Sequence, residues 1–419
     1  MENKKRLKKK CIFVKGAKNA AIYDLNNKKV YSINHIGKAI LEDFIIDQNR
    51  LDTKGFEYIN KLYELGLIEE TSTINNEIDE SFSFPKISLP YVWLELTEKC
   101  NLHCIHCYGQ FCTSSKISRD NFALTTQDWK QVILNLKKNG CNTIHLLGGE
   151  PLCFQGFHDV LLYAHNIGIK TIDISTNGTL VDDKFVQIVK KTNANVRMSI
   201  FGHNDSTHEA ITGIKGSFQK MDKALKLLSE NKINVTLYVT IMKINQQYIK
   251  EIENYASSLN HEYKGYDTVR IVKGKISCDN YVNDVEILKP RYRTSADFSV
   301  SEEQYIHNLH WNTCLGGKMA VSANGDVFPC PFIRDTVIGN VLSEDITVIM
   351  DKALPYWSMT LDHVDCCKDC EYRYACGDCR PLSKGFDGNI KSKQLRCCYD
   401  PYTGIWQDIY DCARELSEN

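Results

Sequence analysis

Three cysteines stand close together in the run Cys100-Asn-Leu-His-Cys104-Ile-His-Cys107. Three thiolates at these spacings can bind three irons of a [4Fe–4S] cube, which leaves the fourth iron without a protein ligand. An open iron can bind a small molecule and pass an electron to it. A zinc site with His103 or His106 as fourth ligand stays open. One buried face of a helix would also fit the spacing, but Asn101, His103 and the strand just before argue against it.

A second and larger group of cysteines lies in the tail of the chain. The sequence has 18 cysteines, and most of those outside the first run fall between Cys314 and Cys398. In a large chain without a secretory signal, clustered cysteines bind metal more often than they form disulfides. We therefore expect metal sites in the tail as well. Six other cysteines are expected to be ordinary or buried residues: Cys11, Cys112, Cys141, Cys153, Cys278 and Cys412.

Composition and charge argue against several classes of protein. The 419 residues carry a net charge of −1, so bulk charge favours neither nucleic acid nor membrane as a partner. No stretch approaches the roughly 20 apolar residues of a membrane span. The start, Met1 to Lys10, is basic and no apolar stretch follows it, so we predict a frayed, solvated end rather than a secretory signal. We expect a cytoplasmic protein.

Residues 1–80 are expected to form a small domain of winged-helix type. Alternating apolar residues predict strands over residues 11–33, folded back as a hairpin. Two amphipathic patterns, over about residues 36–44 and 56–65, predict helices. Residues 70–86 are polar and are predicted to be a linker.

From residue 88 the chain alternates between strand and helix patterns, and we assign residues 88–275 to a second domain of the α/β class. Repeated strand–helix units predict a parallel sheet, closed as a full or partial barrel, with its active site at the carboxyl ends of the strands. The predicted strands are Tyr91–Thr97, Thr143–Leu147, Lys170–Ser175, Asn195–Phe201, Val235–Ile241 and Thr268–Val272. The predicted helices are Leu124–Lys138, Phe157–Asn166, Lys184–Lys191, Phe218–Glu230 and Gln247–Leu259.

The spacing C-x3-C-x2-C after a first barrel strand resembles that of the radical S-adenosylmethionine (SAM) superfamily. The resemblance implies a partial (β/α)6 barrel in which Cys100, Cys104 and Cys107 bind a [4Fe–4S] cluster, with SAM at its open iron. His106, the residue before the third cysteine, is then expected near the adenine.

Turns at the strand ends agree with this resemblance. Gly148-Gly149-Glu150-Pro151 looks like the superfamily motif that holds the methionine amino group, since a glycine pair exposes backbone carbonyls and a carboxylate suits an ammonium. Ser175 and Asn177 at the end of the third strand, and Ser199 on the fourth, are further candidates for contacts to SAM. Turn capping is an equally good interpretation of these three residues.

The tail pattern resembles the SPASM extension of radical SAM enzymes that modify peptides, here residues 306–419, after a bridging segment at 276–305. The resemblance implies two auxiliary [4Fe–4S] clusters, and so three clusters in all. The first auxiliary cluster takes Cys314, Cys330 and Cys379, and the second takes Cys367, Cys370, Cys376 and Cys397.

Three points of the tail assignment stay open. The family's last pair is C-x3-C, whereas this chain has C-x2-C, which puts Cys379 in doubt. Cys366 is an alternative to Cys367, and Cys398 to Cys397. No cysteine occurs between residues 315 and 320, so the first auxiliary cluster is expected to have an open iron or an outside ligand. Zinc in place of these clusters is the alternative to both assignments.

The layout of the N-terminal domain resembles the PqqD-like element of peptide-modifying enzymes, which binds a leader peptide as an added strand at a sheet edge. A structural cap on the barrel is the alternative. The combined resemblance implies an oxidoreductase, a peptide maturase that cleaves SAM reductively and forms a thioether or carbon–carbon crosslink in a ribosomally made precursor peptide. Its partners are then the precursor with its leader and an electron donor such as flavodoxin or ferredoxin.

Two other functions compete with this one. A formylglycine-generating maturase would carry an aspartate directly after the second tail cysteine, where this chain has Pro331. A zinc-bearing binding protein without catalysis is the second. No residue is assigned as catalytic acid or base.

Overall fold

The computed structural model describes residues 4–71, 88–109, 111, 123–270, 280–282 and 284–417. Its first unit is a three-stranded antiparallel sheet followed by two helices, with a two-stranded sheet that joins its two ends. In the larger sheet the middle strand is β3, and β2 and β4 are the edges. The elements are β1 (Lys4–Leu7), β2 (Cys11–Lys15), β3 (Ala20–Asp24), β4 (Lys29–Ile33), α1 (His35–Ile46), α2 (Thr53–Glu64) and β5 (Ile68–Thr71).

The prediction of a frayed N-terminus is wrong for the described residues. Lys4–Leu7 is a strand that pairs antiparallel with Ile68–Thr71. Lysine and arginine are compatible with such a two-stranded edge because their charged ends reach water, as in the ion pair of Arg6 with Glu69 at 2.9 Å. The predicted linker also begins later than residue 70, since β5 extends to Thr71, and residues 72–86 lie outside the described part.

Six parallel strands follow in sequence order and form the barrel sheet of the described chain. They are β6 (Tyr91–Glu95), β7 (Thr143–Leu147), β8 (Thr171–Thr176), β9 (Asn195–Ile200), β10 (Val235–Ile241) and β11 (Glu262–Thr268). The helices between them are α3 (Thr126–Lys138), α4 (Phe157–Asn166), α5 (Asp183–Thr192), α6 (Asp205–Thr212), α7 (Ser217–Glu230) and α8 (Ile249–Ser258).

The last barrel strand is not the predicted Thr268–Val272. It ends at Thr268, and the two residues after it are in no strand, while 271 and 272 lie outside the described residues. β11 is the edge of the sheet, so its outer side meets water and its sequence Glu-Tyr-Lys-Gly-Tyr-Asp-Thr is polar. Gly265, at φ +79°, lies at an irregularity in its pairing with β10. Apolar patterning therefore gave no signal for this strand.

The tail is more regular than expected and extends the barrel sheet. β12 pairs in parallel with β6, so that nine strands of the described chain form one sheet in the order β11-β10-β9-β8-β7-β6-β12-β13-β14. The tail strands are β12 (Lys318–Val321), β13 (Asp326–Phe328), β14 (Gly339–Asn340), β15 (Tyr399–Asp400) and β16 (Ile405–Trp406). The helices are α9 (Val285–Leu288) and α10 (Glu302–His310) in the predicted bridging segment and after it, then α11 (Ile346–Trp357), α12 (Arg380–Asp387) and α13 (Ile409–Ser417).

Both faces of the N-terminal sheet are buried. One face packs on α1 and α2 through Ile22, Leu41 and Ile59. The other face packs on the tail, where Tyr23 shares a core with Tyr372. The N-terminal unit is therefore fixed to the cysteine-rich tail through a common apolar core. Among the described residues, no helix is both long enough and apolar enough to span a membrane.

Candidate functional site

The turn after β7 holds the segment that leads into the first cysteine run. Gly149 N–H donates to the Thr97 carbonyl at 2.8 Å, and Glu150 N–H donates to the Lys99 carbonyl at 2.8 Å. A Cβ on Gly148 would lie 2.5 Å from Thr97 O, and one on Gly149 would lie 2.7 Å from the Lys99 carbonyl carbon. Gly148 also has φ +148°, which favours glycine. The glycine pair thus permits a close backbone approach that any side chain would prevent.

The end of α6 supports the cysteine run from the other side. His103 N–H donates to Thr212 O at 2.8 Å, and Ile105 N–H donates to Ile211 O at 3.0 Å. The sequence prediction missed this helix because it is only eight residues long. Its ends did carry a signal: Asn204 caps it, and Gly213 ends it in the left-handed region.

A cavity of about 390 Å³ opens at the carboxyl ends of β6 to β9. Its volume is within the range of small-molecule sites. All ten residues predicted to bind the first cluster or SAM line this cavity. These are Cys100, Cys104, His106, Cys107, Gly148, Gly149, Glu150, Ser175, Asn177 and Ser199. Burial raises the pKa of the Cys100 thiol to about 12, so a bound cation is needed to make it a thiolate near neutral pH.

Glu150 is buried and its carboxylate is already engaged by the protein. It accepts hydrogen bonds from Thr176 Oγ1 at 2.7 Å, Asn177 N at 2.8 Å and Leu152 N at 3.1 Å. Burial raises its pKa to about 7 despite these bonds. A carboxylate has about four acceptor positions, so one is left for a ligand in the cavity. Glu150 therefore joins the ends of β7 and β8, whatever else it binds.

Two of the three single polar candidates, Ser175 and Asn177, differ in their protein contacts. Ser175 Oγ lies 2.7 Å from His145 Nε2, and His145 Nδ1 lies 2.8 Å from the Tyr91 hydroxyl. Asn177 mainly organises the turn, since its amide bonds Asn101 at 3.0 Å and Thr179 N at 2.9 Å. Turn capping thus accounts for Asn177 but not for Ser175, which a buried imidazole orients towards the cavity.

His106 fits an aromatic ligand. Its ring packs edge to face on Phe201 at 4.6 Å between centroids, and burial lowers its pKa to about 4, so it is neutral. Its buried Nδ1 has no hydrogen-bond partner within the described part of the chain. A buried ring nitrogen without a partner is costly, and a ligand that carries a hydrogen-bonding group would satisfy it.

In the tail, the structure brings Cys314, Cys330 and Cys379 together. The Cys314 thiol is hydrogen-bonded to Cys379, which lowers the pKa of Cys379, and both interact with Cys330. Two buried groups position this cluster of thiols. Asn312 Oδ1 accepts from Cys314 N at 2.9 Å, and its Nδ2 donates to the Asp378 carboxylate at 3.2 Å.

Cys367, Cys370, Cys376 and Cys397 form a second group, packed in the core shared with the N-terminal sheet. The neighbouring cysteines point elsewhere. Cys366, at φ +61°, interacts with lysine and aspartate side chains, and Cys398 is hydrogen-bonded to Cys412 in α13. The geometry thus groups Cys367 and Cys397 with the other thiols, while ligation by any of them stays a prediction. Of the remaining cysteines, Cys11, Cys141 and Cys412 are buried, and Cys112 and Cys278 lie outside the described residues.

Sequence reasoning missed an ion pair in the wall next to the cavity. Arg334 of the tail contacts both carboxylate oxygens of Glu95, at the end of β6, at 2.5 Å. Tyr108, the residue after Cys107, donates to the same carboxylate at 3.0 Å. No local pattern marks such a pair, because its partners are 239 residues apart.

Comparison with known proteins assigns both cysteine-rich regions to domain families. Residues 94–258 match the model of the radical SAM superfamily, and residues 314–380 match that of SPASM, an iron–sulfur cluster-binding domain. The chain therefore contains a radical SAM domain and a SPASM domain. The α/β fold expected from the sequence is confirmed, and so is the binding of SAM and iron–sulfur clusters by these two domains. The donor set of thiols, the glycine turn and the partnerless His106 fit those groups.

Three proteins show how far the similarity extends. The AdoMet-dependent heme synthase of Methanosarcina barkeri is 25% identical over 340 residues, 73% of this chain and 95% of the relative. The subtilosin biosynthesis protein AlbA of Bacillus subtilis is 25% identical over 386 residues, 85% of this chain and 82% of AlbA. The crystal structure of Streptococcus suis SuiB bound to precursor peptide SuiA has a TM-score of 0.56 at 15% identity, covering 97% of this chain and 99% of SuiB.

Proposed function

We propose that this radical SAM enzyme is a peptide maturase that forms a thioether or carbon–carbon crosslink in a ribosomally made precursor peptide. The observation that carries the proposal is the composition of the cavity wall. Pro331 and Phe332 follow Cys330 directly, and they line the same cavity as Cys100, Cys104 and Cys107. A substrate in this cavity would therefore lie between the radical-generating site and the first tail cysteine group.

The proposed assembly has three [4Fe–4S] clusters. One is bound by the run from Cys100 to Cys107, and the other two are bound by the two tail groups of cysteines. SAM bound at a reduced cluster supplies a 5′-deoxyadenosyl radical, which abstracts hydrogen. His106, Ser175 and Ser199 hold the cofactor, and the glycine turn keeps the cysteine run in place. Aromatic residues of the wall, among them Trp93, Phe111 and Phe332, exclude water from the reacting atoms.

The balance of the crosslinking step explains why a second redox site is needed. Joining two groups removes two hydrogens: one leaves as an atom, and the other leaves as a proton and an electron. The electron requires an acceptor near the cavity, and the group of Cys314, Cys330 and Cys379 is the nearest predicted one. A flavodoxin or ferredoxin would supply the electron that starts each cycle.

We assign leader binding to the N-terminal unit. Both faces of its sheet are buried, so a peptide strand could be added only at β2 or β4. The edge of β4 is covered at its start, where Lys29 bridges Ser299. The structural match to SuiB, which was crystallised with a precursor peptide, extends over 97% of this chain and so includes most of residues 4–71.

Mass spectrometry of a short peptide encoded beside this chain, incubated with reconstituted enzyme, SAM and reductant, tests the proposal. Loss of two hydrogens per crosslink is expected, and Cys104→Ala should abolish it while Cys141→Ala, at a buried cysteine away from the cavity, should not. A peptide without its leader should react more slowly. SAM cleavage without any change in the peptide would contradict the proposal.

The similarity to AdoMet-dependent heme synthase favours a second candidate, a porphyrin substrate. That match covers 73% of this chain, against 85% for AlbA, so the peptide-related protein accounts for more of it. Incubation with an iron porphyrin instead of a peptide separates the two. Formylglycine formation is disfavoured, since Pro331 has no proton acceptor, and both family matches favour iron–sulfur over zinc binding.

A further inference from the structure

Arg270 lies two residues after β11, at the end of the barrel where the cavity opens. Its guanidinium stacks on the ring of Phe332, 4.9 Å from the ring centroid. Phe332 lines the cavity, and its backbone N–H donates a hydrogen bond to the Cys330 thiol. Arg270 therefore stands where the cavity wall meets the first tail cysteine group.

Among the described residues, one carboxylate faces the charge of Arg270. Its one ion pair in the described residues is with Asp267, at 3.9 Å, and that carboxylate is shared with Arg396 at 2.9 Å. The other groups that interact with its charge are the thiols of Cys379, Cys330 and Cys314. The Arg270 side chain is 38% exposed, so part of it is in water while the rest can donate to anionic acceptors.

Loading of the tail site would provide those acceptors. A [4Fe–4S] cluster held by Cys314, Cys330 and Cys379 brings three thiolates and the sulfides of the cube to the guanidinium. A cation beside such a cluster stabilises its more negative, reduced form relative to the oxidised one, because opposite charges attract. The same cation is stacked on the wall of the cavity that would hold the substrate.

We propose that Arg270 is a positioning residue that raises the reduction potential of the cluster held by Cys314, Cys330 and Cys379, so that this cluster accepts an electron from the substrate radical. In that step the cluster gains one electron, the substrate radical loses one, and the proton of the attacking group is released to water. The inference rests on the proposed function only for the direction in which the electron moves.

Redox titration monitored by electron paramagnetic resonance tests the inference without substrate. Full-length protein with Cys100, Cys104 and Cys107 all replaced by alanine retains only the tail sites, and two reduction steps are expected. Arg270→Gln should move one step to a lower potential at unchanged iron content. Arg270→Lys should move it less. Asp267→Asn, which removes the counter-charge, should move the same step upwards.

Arg293→Gln is the matched control. Arg293 also stacks on an aromatic ring, Phe298 at 4.4 Å, but its charge faces Cys376 of the second group. It should leave the step that responds to Arg270 unchanged. Equal potentials in Arg270→Gln and its parent would overturn the inference, and so would a shift seen only together with a loss of iron. If instead the peptide assay fails while the potential shifts, the proposed function fails and the effect of Arg270 on the potential stands.

Discussion

Two pairs of adjacent cysteines in the tail have different surroundings within each pair. Single substitutions can therefore test which member of each pair binds a cluster. Cys367 and Cys397 face other thiols, whereas Cys366 faces lysine and aspartate side chains and Cys398 bonds Cys412. We expect Cys367→Ala and Cys397→Ala each to lower bound iron by about four atoms, one cube, per chain.

The neighbours provide the matched controls. Cys366→Ala and Cys398→Ala should keep the full iron content and the visible absorption of the clusters. The measurement is iron per chain after anaerobic reconstitution. Equal losses in both members of a pair would mean that the grouping of thiols in the structure does not determine ligation.

The buried His145 predicts a pH dependence of stability. Burial, and then the charge of Arg197, lowers its pKa from 6.5 to about 3. The unfolded chain therefore binds more protons than the folded one between those values, and stability decreases as the pH falls through that window.

His145→Gln should remove part of this loss. We expect the decrease in melting temperature between pH 7 and pH 5 to be smaller in metal-free His145→Gln than in the parent protein, by thermal unfolding. The control is His165→Gln, because His165 is exposed on α4. An identical decrease in all three proteins would refute the role of His145.

At the scale of elements, β2, β3 and the turn between them contact the loop that carries predicted ligands of the second tail group. Ala17 N–H donates to Asp369 O at 2.7 Å, and Tyr23 donates to Glu371 O at 2.9 Å. Arg373, in the same loop, donates to Lys15 O at 2.9 Å. The N-terminal unit therefore shapes the backbone between Cys367 and Cys376.

Gly16→Ala should disturb this contact. A Cβ at this position would lie 2.9 Å from Glu371 N and overlap the Glu371 carboxylate. We expect a loss of about 1–3 kcal/mol in the free energy of unfolding, and less iron in the second tail group. Lys18→Ala, at an exposed position of the same turn, should change neither in denaturant titration or iron analysis. Full stability of Gly16→Ala would show that the two units are not fixed to each other.

At the scale of the whole molecule, one ion pair joins the tail to the barrel. The Arg334 and Glu95 side chains are 10% and 2% exposed, so loss of one partner leaves a buried charge. Arg334→Met should therefore lower the free energy of unfolding by about 3–5 kcal/mol. Replacing both residues by methionine should cost less than the sum of the single replacements, by urea denaturation of the metal-free protein. Additive losses would contradict direct coupling across the interface.

The extent of prediction differs between the local and the long-range features. The cysteine run, the glycine turn and five barrel strands were recognised because each is a contiguous pattern of residue types. The edge strand Glu262–Thr268 was not recognised, because it is partly solvated and has no apolar pattern. The helix Asp205–Thr212 was not recognised either, because its eight residues are too few for a clear helical period. The strand Lys318–Val321 was missed because four residues are too short for a recognisable pattern. Its pairing with β6 in the barrel sheet is visible only in the structure.

The sequence by itself determined the chemistry of the start of the reaction, since the types and spacing of Cys100, Cys104 and Cys107 are local. Only the tertiary structure separated Cys367 and Cys397 from their neighbours Cys366 and Cys398, and decided which charged residues face the thiols. Cys397 and Cys398 are adjacent in the chain yet point to different cores. Arg270 and Arg334 act on thiols and carboxylates far from them in sequence, because electrostatic forces depend on distance in space and on the exclusion of water.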